Sequence, residues 1–224
     1  VFVLYGCDVL KGKINCEDIL EKTYSNSSLN NFEKNKFKDL LDERYPQFDE
    51  MFEKASIETN IEKNLLAAIS FQESQWDPKA KSNMGVRGMM MVTLETAALV
   101  GVEKRLNPEQ NIKGGAKYFA MLQEKNKIGP TDPDKLSITL ASYNLGPTNI
   151  FNIANSIDKE IENVSWVEIS EQLKTIKGSE LNLTDKDNYT RGQQAIDYVD
   201  RVKNYYQLLS AHSCIAPRDQ LIFF

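Results

Sequence analysis

Apolar residues in this chain recur mostly at intervals of three and four, the spacing of one helical face, and the alternating stretches that mark strands are few. The fold class this predicts is mainly α. Phe37, Leu40, Leu41, Tyr45, Phe48, Met51 and Phe52 form one such stripe, interrupted by Pro46, which sets a kink or a boundary. Helices follow at Asn64 to Ser74, Leu94 to Val100, Pro108 to Asn126 and Pro133 to Asn144, divided by Pro, Gly and Asn signals. Asp77 to Met91 reads as loop or a small hairpin, since Asn83-Met84-Gly85 and Arg87-Gly88 are turn signals. A polar loop from Lys177 to Asn188 precedes a last helix from Arg191 to Ala211.

One residue breaks the pattern. At 100° per residue, Leu65, Leu66, Ile69 and Glu73 share one arc of the Asn64 to Ser74 helix, so a carboxylate occupies an apolar face. An ionised carboxylate without a partner is costly to bury, so it raises its pKa and keeps its proton near neutral pH. A protonated Glu is a general acid. A structural ion pair at the helix end is the competing reading.

Composition narrows the chemistry. Hydrophobic residues at 41% and charged residues at 26% describe an ordinary globular chain. A net charge of −5 gives no basic face for a nucleic acid. No apolar run is long enough to cross a bilayer. The single histidine, His212, stands far along the chain, which argues against Ser-His-Asp triads, Cys-His pairs and His-rich metal sites. The cysteines Cys7, Cys16 and Cys214 show no CxxC spacing, so no metal is expected; one pair, such as Cys7 with Cys16, could form a disulfide in an oxidising compartment. The opening Val-Phe-Val-Leu-Tyr-Gly-Cys ends like a lipoprotein signal, making Cys7 a candidate for lipidation and membrane attachment. A short buried strand would read the same way.

Three further segments bear on Glu73. Gly85-Val-Arg-Gly-Met-Met-Met91 combines glycines with flexible apolar side chains, although Met runs are often simply core. Ser142-Tyr143-Asn144-Leu145-Gly146 presents polar groups at a helix end, as a C-cap also would. Tyr189-Thr-Arg-Gly-Gln-Gln194 opens the last helix with a polar, aromatic turn.

In order, these segments resemble the lytic transglycosylases, lysozyme-like enzymes of glycoside hydrolase family 23 that cleave peptidoglycan. The family pattern is Glu-Ser at a helix end, Gly-Leu-Met-Gln, Asn-Ile-x-x-Gly-x-x-Tyr, then Ala-Tyr-Asn-x-Gly. Here those stand as Glu73-Ser74, Gly88-Met89-Met90-Met91, Asn111 to Tyr118 after Pro108, and Ser142-Tyr143-Asn144-Leu145-Gly146, with Ser142 in the place of the Ala. A membrane-bound subtype is the nearest in pattern, through Gln72 to Ala80, Gly85 to Met91 and Arg191 to Val199. Two departures stand out: Met91 replaces the common Gln, as in that subtype, and Gln194 replaces a Glu often found four residues before Tyr198.

The resemblance implies a lysozyme-like helical domain over 57–211, behind an arm over 1–56 and ahead of a tail over 212–224. It implies Glu73 as sole acid and base, with Ser74 and Tyr143 near it and Tyr143 bonded to it or to a sugar. Asn144 would fix the turn, Met89, Met90 and Met91 would floor the cleft, and Tyr189 would stack on a sugar beside Gln194. The expected reaction opens the bond between N-acetylmuramic acid and N-acetylglucosamine and closes a 1,6-anhydro ring, with no cofactor. The partner is the peptidoglycan strand, the state monomeric, and the place periplasmic and outer-membrane associated. A hydrolytic muramidase, which needs a second carboxylate, and a non-cleaving peptidoglycan-binding module are the alternatives.

Overall fold

The structure, a computed structural model, describes residues 15–83, 85–175 and 191–215. Cys7, Tyr189, the loop expected at Lys177 to Asn188 and the tail beyond 215 lie outside the described residues. The elements are α1 (Cys16–Asn26), α2 (Asn31–Glu43), α3 (Asp49–Thr59), α4 (Lys63–Ser74), α5 (Leu94–Val100), α6 (Pro108–Lys125), α7 (Asp132–Leu145), α8 (Pro147–Asn155), α9 (Trp166–Thr175) and α10 (Arg191–Ile215). Among the described residues there is no strand, only two isolated antiparallel bridges, Lys81 with Arg87 and Arg87 with Val92. Of the two readings of that stretch, loop or small hairpin, the structure has a bridged loop.

Local chemistry sets most boundaries. Asn30 caps α2 through a full capping box with Glu33, while Asn107 and Thr131 cap α6 and α7, whose first turns carry Pro108 and Pro133. Pro46 sits in a short 3₁₀ turn between α2 and α3, where the boundary was expected. Helix α4 is buried at every position from Leu65 to Phe71, so it is the central helix that other elements surround. It lies against α10 and α3, and α10 also packs on α1, α7 and α9.

The helices before Thr59 share this core. Phe37 of α2 stacks on Tyr205 at 5.3 Å between ring centroids and meets Phe71 edge-on at 5.1 Å. Helix α1 lies along α10, and this pairing overturns the cysteine expectation: Cys16 is bonded to Cys214, 198 residues away, with the Cα atoms 5.5 Å apart. The two cysteines meet because the start of one helix reaches the end of another, a long-range consequence that spacing cannot show. His212 belongs to α10, where its Nε2 lies 2.9 Å from the Tyr24 hydroxyl and burial lowers its pKa. It is a packing residue.

Candidate active site

Helix α4 ends in an unusual way. Gln75 and Trp76 are both left-handed, with φ of 54° and 57°, although neither is glycine. The reversal sends the fully buried Trp76 ring back onto the helix, where its Nε1 donates to Ala67 O at 2.9 Å. The ring packs on Phe71 and Tyr45 at 4.7 and 4.8 Å, and Arg44 Nη1 donates to Gln75 O at 2.8 Å. Aromatic burial and these bonds offset the backbone strain, and Glu73 is thereby fixed in the last turn before the reversal.

The loop after α4 is tied down by side chains from three helices. Asn111 of α6 is fully buried; its Oδ1 accepts from Met90 N at 2.7 Å, and its Nδ2 donates to Arg87 O at 2.9 Å and Arg105 O at 2.7 Å. Ser70 and Ser74 of α4 both donate to Met89 O, at 3.1 and 2.8 Å. The Tyr143 hydroxyl of α7 donates to Met90 O at 2.8 Å. Gly88, at φ 80°, is required twice over, since a Cβ there would lie 2.3 Å from Arg105 O. At Gly115 a Cβ would lie 2.4 Å from that of Met90, so α6 can approach the loop only without one.

This arrangement corrects one expectation. Met89 and Met90, expected on the cleft floor, have fully buried side chains and belong to the core, because α4 and α6 close over them. Their contribution is the pair of carbonyls that Ser70, Ser74 and Tyr143 hold. Met91 alone of the three keeps some exposure, at φ 47°. Tyr143 likewise spends its proton on Met90 O, so it offers Glu73 its ring and the lone pairs of its oxygen. Ser74 buttresses the loop carbonyl from the Glu73 turn.

Glu73 keeps part of its surface open, yet the protein packed around it strips away enough water to raise its pKa to about 7. The Tyr198 hydroxyl faces it and pulls in the opposite direction, in a geometry looser than an aligned hydrogen bond, so the buried oxygen of Tyr198 has no well-formed partner. The pKa of Tyr143 is pushed well up by burial first and then by the Glu73 charge, which places its ring beside the carboxylate. Asp77, the acid nearest in sequence, accepts from Lys79 N at 2.8 Å and forms a turn. Gln194 accepts from Arg191 Nη1 at 2.9 Å, one turn of α10 before Tyr198. Asn144 carries a buried Oδ1 without a hydrogen-bond partner.

A cavity of about 810 Å³ opens next to this cluster, lined by Leu99, Tyr118, Met121, Lys127, Ser142 and Phe151 among others. Glu73 is not in its wall. The link is Tyr118, whose ring lies 5.6 Å from that of Tyr143. The cavity therefore adjoins the Glu73 cluster on the far side of Tyr143. Sequence reasoning assigned no role to Ser70, Asn111, Tyr118 or Tyr198. Ser70 could have been found from its place one turn before Ser74, and Asn111 from a polar residue inside the Asn-Ile-x-x-Gly motif.

A bundle closed around a central helix that ends in a half-buried glutamate defines a lysozyme-like helical fold. The same fold occurs in an inactive mutant of the lytic transglycosylase Slt from Pseudomonas aeruginosa, at TM-score 0.54 and 19% identity over 80% of this chain and 26% of that one. It also occurs in the soluble lytic transglycosylase of Escherichia coli, at TM-score 0.53 and 19% identity over 91% and 30%. The chain belongs to the Transglycosylase SLT domain family, whose pattern matches residues 50–165, just over half of it. Among curated relatives, it is 37% identical over 172 residues to membrane-bound lytic murein transglycosylase F 2 of Alkalilimnicola ehrlichii, covering 75% of this chain and 38% of that protein. It is 36% identical over 173 residues to membrane-bound lytic murein transglycosylase F of Vibrio cholerae, covering 77% and 32%. The chain thus spans about a third of the length of the curated relatives it matches.

Proposed function

We propose that this chain is a peptidoglycan lytic transglycosylase acting between N-acetylmuramic acid and N-acetylglucosamine. The observation that carries this reading is the Glu73 carboxyl, poised near pH 7 by burial against Tyr143 and Tyr198, with no other acid among the described residues shifting it. Hydrolases of the two-carboxylate type need a second acid to hold water or to attack the sugar. Family membership and the relatives' names support the same chemistry.

In this reading Glu73 gives its proton to the glycosidic oxygen as the C1–O bond breaks, leaving an oxocarbenium-like sugar. The carboxylate so formed takes the proton of the C6 hydroxyl, and O6 closes on C1. Glu73 ends protonated, the released strand carries the new hydroxyl, and no water is consumed. A pKa near 7 suits both half-reactions, because acid and base are then of matched strength at neutral pH. Tyr143 flanks the carboxylate, Ser74 holds the loop carbonyl beneath it, Met91 borders the opening, and Asn144 offers an open acceptor to an amide N–H of the substrate. The family resemblance assigns a stacking contact with a sugar to Tyr189 and a substrate contact to Gln194. The catalytic unit is 57–211, with the arm packed on it.

The setting is the periplasmic cell wall. Relatives named membrane-bound support attachment to a membrane, and among the described residues no helix is long and apolar enough to cross one. Lipidation of Cys7 would supply the anchor, at the outer membrane, and the enzyme acts as a monomer.

The test is digestion of purified sacculi followed by mass spectrometry of the released muropeptides. 1,6-Anhydro ends are expected. Reducing ends would assign a hydrolase instead, and intact sacculi with bound protein would assign a binding module.

A further inference from the structure

On the far side of the α4 terminus from the loop-holding serines lies a second cavity, of about 300 Å³, whose wall includes Phe32 and Lys36 of α2, Gln72 and Gln75 at the end of α4, and Arg201 and Tyr205 of α10. Three features of it have no structural explanation. Phe32 is 73% exposed, a full aromatic ring presented to water at the start of α2. The side-chain amides of Gln72 and Gln75 have no hydrogen-bond partner within the described protein, although both are half-buried. Gln75 also occupies a left-handed position, φ 54°, where glycine would remove the strain.

The chemistry of the wall is of one kind. Lys36 Nζ lies over one face of the Phe32 ring, 5.8 Å from its centre, and forms no ion pair among the described residues, while Arg201 is paired with Glu33 at 2.9 Å. The exposed face of the Phe32 ring away from Lys36 is flat and apolar, and two amides offer donors and acceptors in the same wall. A pyranose has the matching parts, a face of C–H groups and a rim of hydroxyl and acetamido groups. The volume lies at the low end for a ligand pocket and suits a single ring.

Position along the helices connects this cavity to the acid. Gln72 and Gln75 stand on either side of Glu73 in the chain. Tyr198, which faces Glu73, and Tyr205, in the cavity wall, are seven residues apart on α10, two turns or about 10 Å. We propose that the cavity formed by Phe32, Lys36, Gln72 and Gln75 is a remote subsite for one amino-sugar ring of the glycan strand, separate from the bond that Glu73 cleaves. The ring-bearing side of the subsite comes from α2, before the residues 50–165 that match the family pattern, so the arm contributes to the preference for longer strands. The proposal rests on the glycan-cleaving reading above.

The test measures binding, not cleavage. The Glu73→Gln protein is titrated with the trisaccharide and the hexasaccharide of N-acetylglucosamine, alone and with Phe32→Ala or Gln75→Gly added. Phe32 is a surface residue and Gln75→Gly relieves strain, so both variants keep the fold. The hexasaccharide is expected to bind tighter than the trisaccharide, and each added substitution to weaken the hexasaccharide about three- to tenfold, the scale of one aromatic contact, while leaving the trisaccharide unchanged. Equal loss for both lengths, no loss for either, or no measurable binding of the hexasaccharide overturns the subsite. Length-dependent binding by the Glu73→Gln protein, combined with no release of 1,6-anhydro ends from sacculi by the unsubstituted protein, would overturn the catalytic reading and leave the subsite standing.

Discussion

Two polar side chains border the Gly88 to Met91 turn, and the fold treats them in opposite ways. Asn111 is wholly buried and each of its amide groups is used, on Met90 N, Arg87 O and Arg105 O. Glu73 keeps a window to solvent, has among the described residues a loosely placed Tyr198 hydroxyl before it, and carries a raised pKa of about 7. Both were brought there by helices, Asn111 by α6 and Glu73 by α4. The difference is that a saturated polar group rigidifies, whereas an unsaturated one retains a proton to give. The loop needs the first kind and the chemistry needs the second.

The comparison can be broken most strongly at the carboxylate. Glu73→Gln is expected to lower the release of 1,6-anhydro muropeptides by about a thousandfold or more, since one group supplies both acid and base, with binding of glycan retained. Full activity in that variant would remove Glu73 from its role. Next in size is Asn111→Ala, which leaves three backbone groups of the loop without partners. A loss of about 3 kcal/mol in urea unfolding is expected, with cleavage falling alongside it as the loop loosens.

The carboxylate should show the reverse sign in stability. Folded Glu73 holds its proton to about pH 7, whereas an unfolded Glu releases it near pH ~4.3, so between these values the folded state binds more protons. The stability tied to neutral Glu73 is whole below about pH 4 and is lost as pH rises through 7. Glu73→Gln should therefore stabilise the protein by about 2 to 3 kcal/mol at pH ~8, a figure reduced for the group's residual solvent contact, and should flatten the slope of Tm against pH across that window. An unchanged slope would mean the carboxyl is not held protonated. The smallest effect is expected from Tyr143→Phe, which frees Met90 O while keeping the ring. About 1 kcal/mol of stability should go, and cleavage should fall severalfold without a change in which bond is cut.

These residues divide by what a short stretch of sequence can carry. Glu73 was legible because an amphipathic period is local: its neighbours Leu65, Leu66 and Ile69 define the face on which it stands. The capped starts of α6 and α7, and the boundary at Pro46, were legible for the same reason. Met89 and Met90 were misplaced because burial depends on what arrives from elsewhere; Gly115 of α6 lets that helix sit on Met90, and no property of the Met run announces it. Ser70 and Asn111 went unassigned because their partners are loop carbonyls and amides that exist only after the loop is folded back.

The sequence by itself therefore determined the helical class, the order and limits of the central helices, the carboxylate at the end of α4 and the family to which the chain belongs. Tertiary structure alone decided that Cys16 pairs with Cys214, that the two methionines are core, that Asn111 holds the loop, and that Glu73 is half-buried with its pKa raised to about 7 while Phe32 and Gln75 face a second cavity. The physical reason is range. Period, caps and turn residues act within a few positions of one another, whereas disulfide pairing, burial and pKa are sums over atoms that only the closed fold brings within reach.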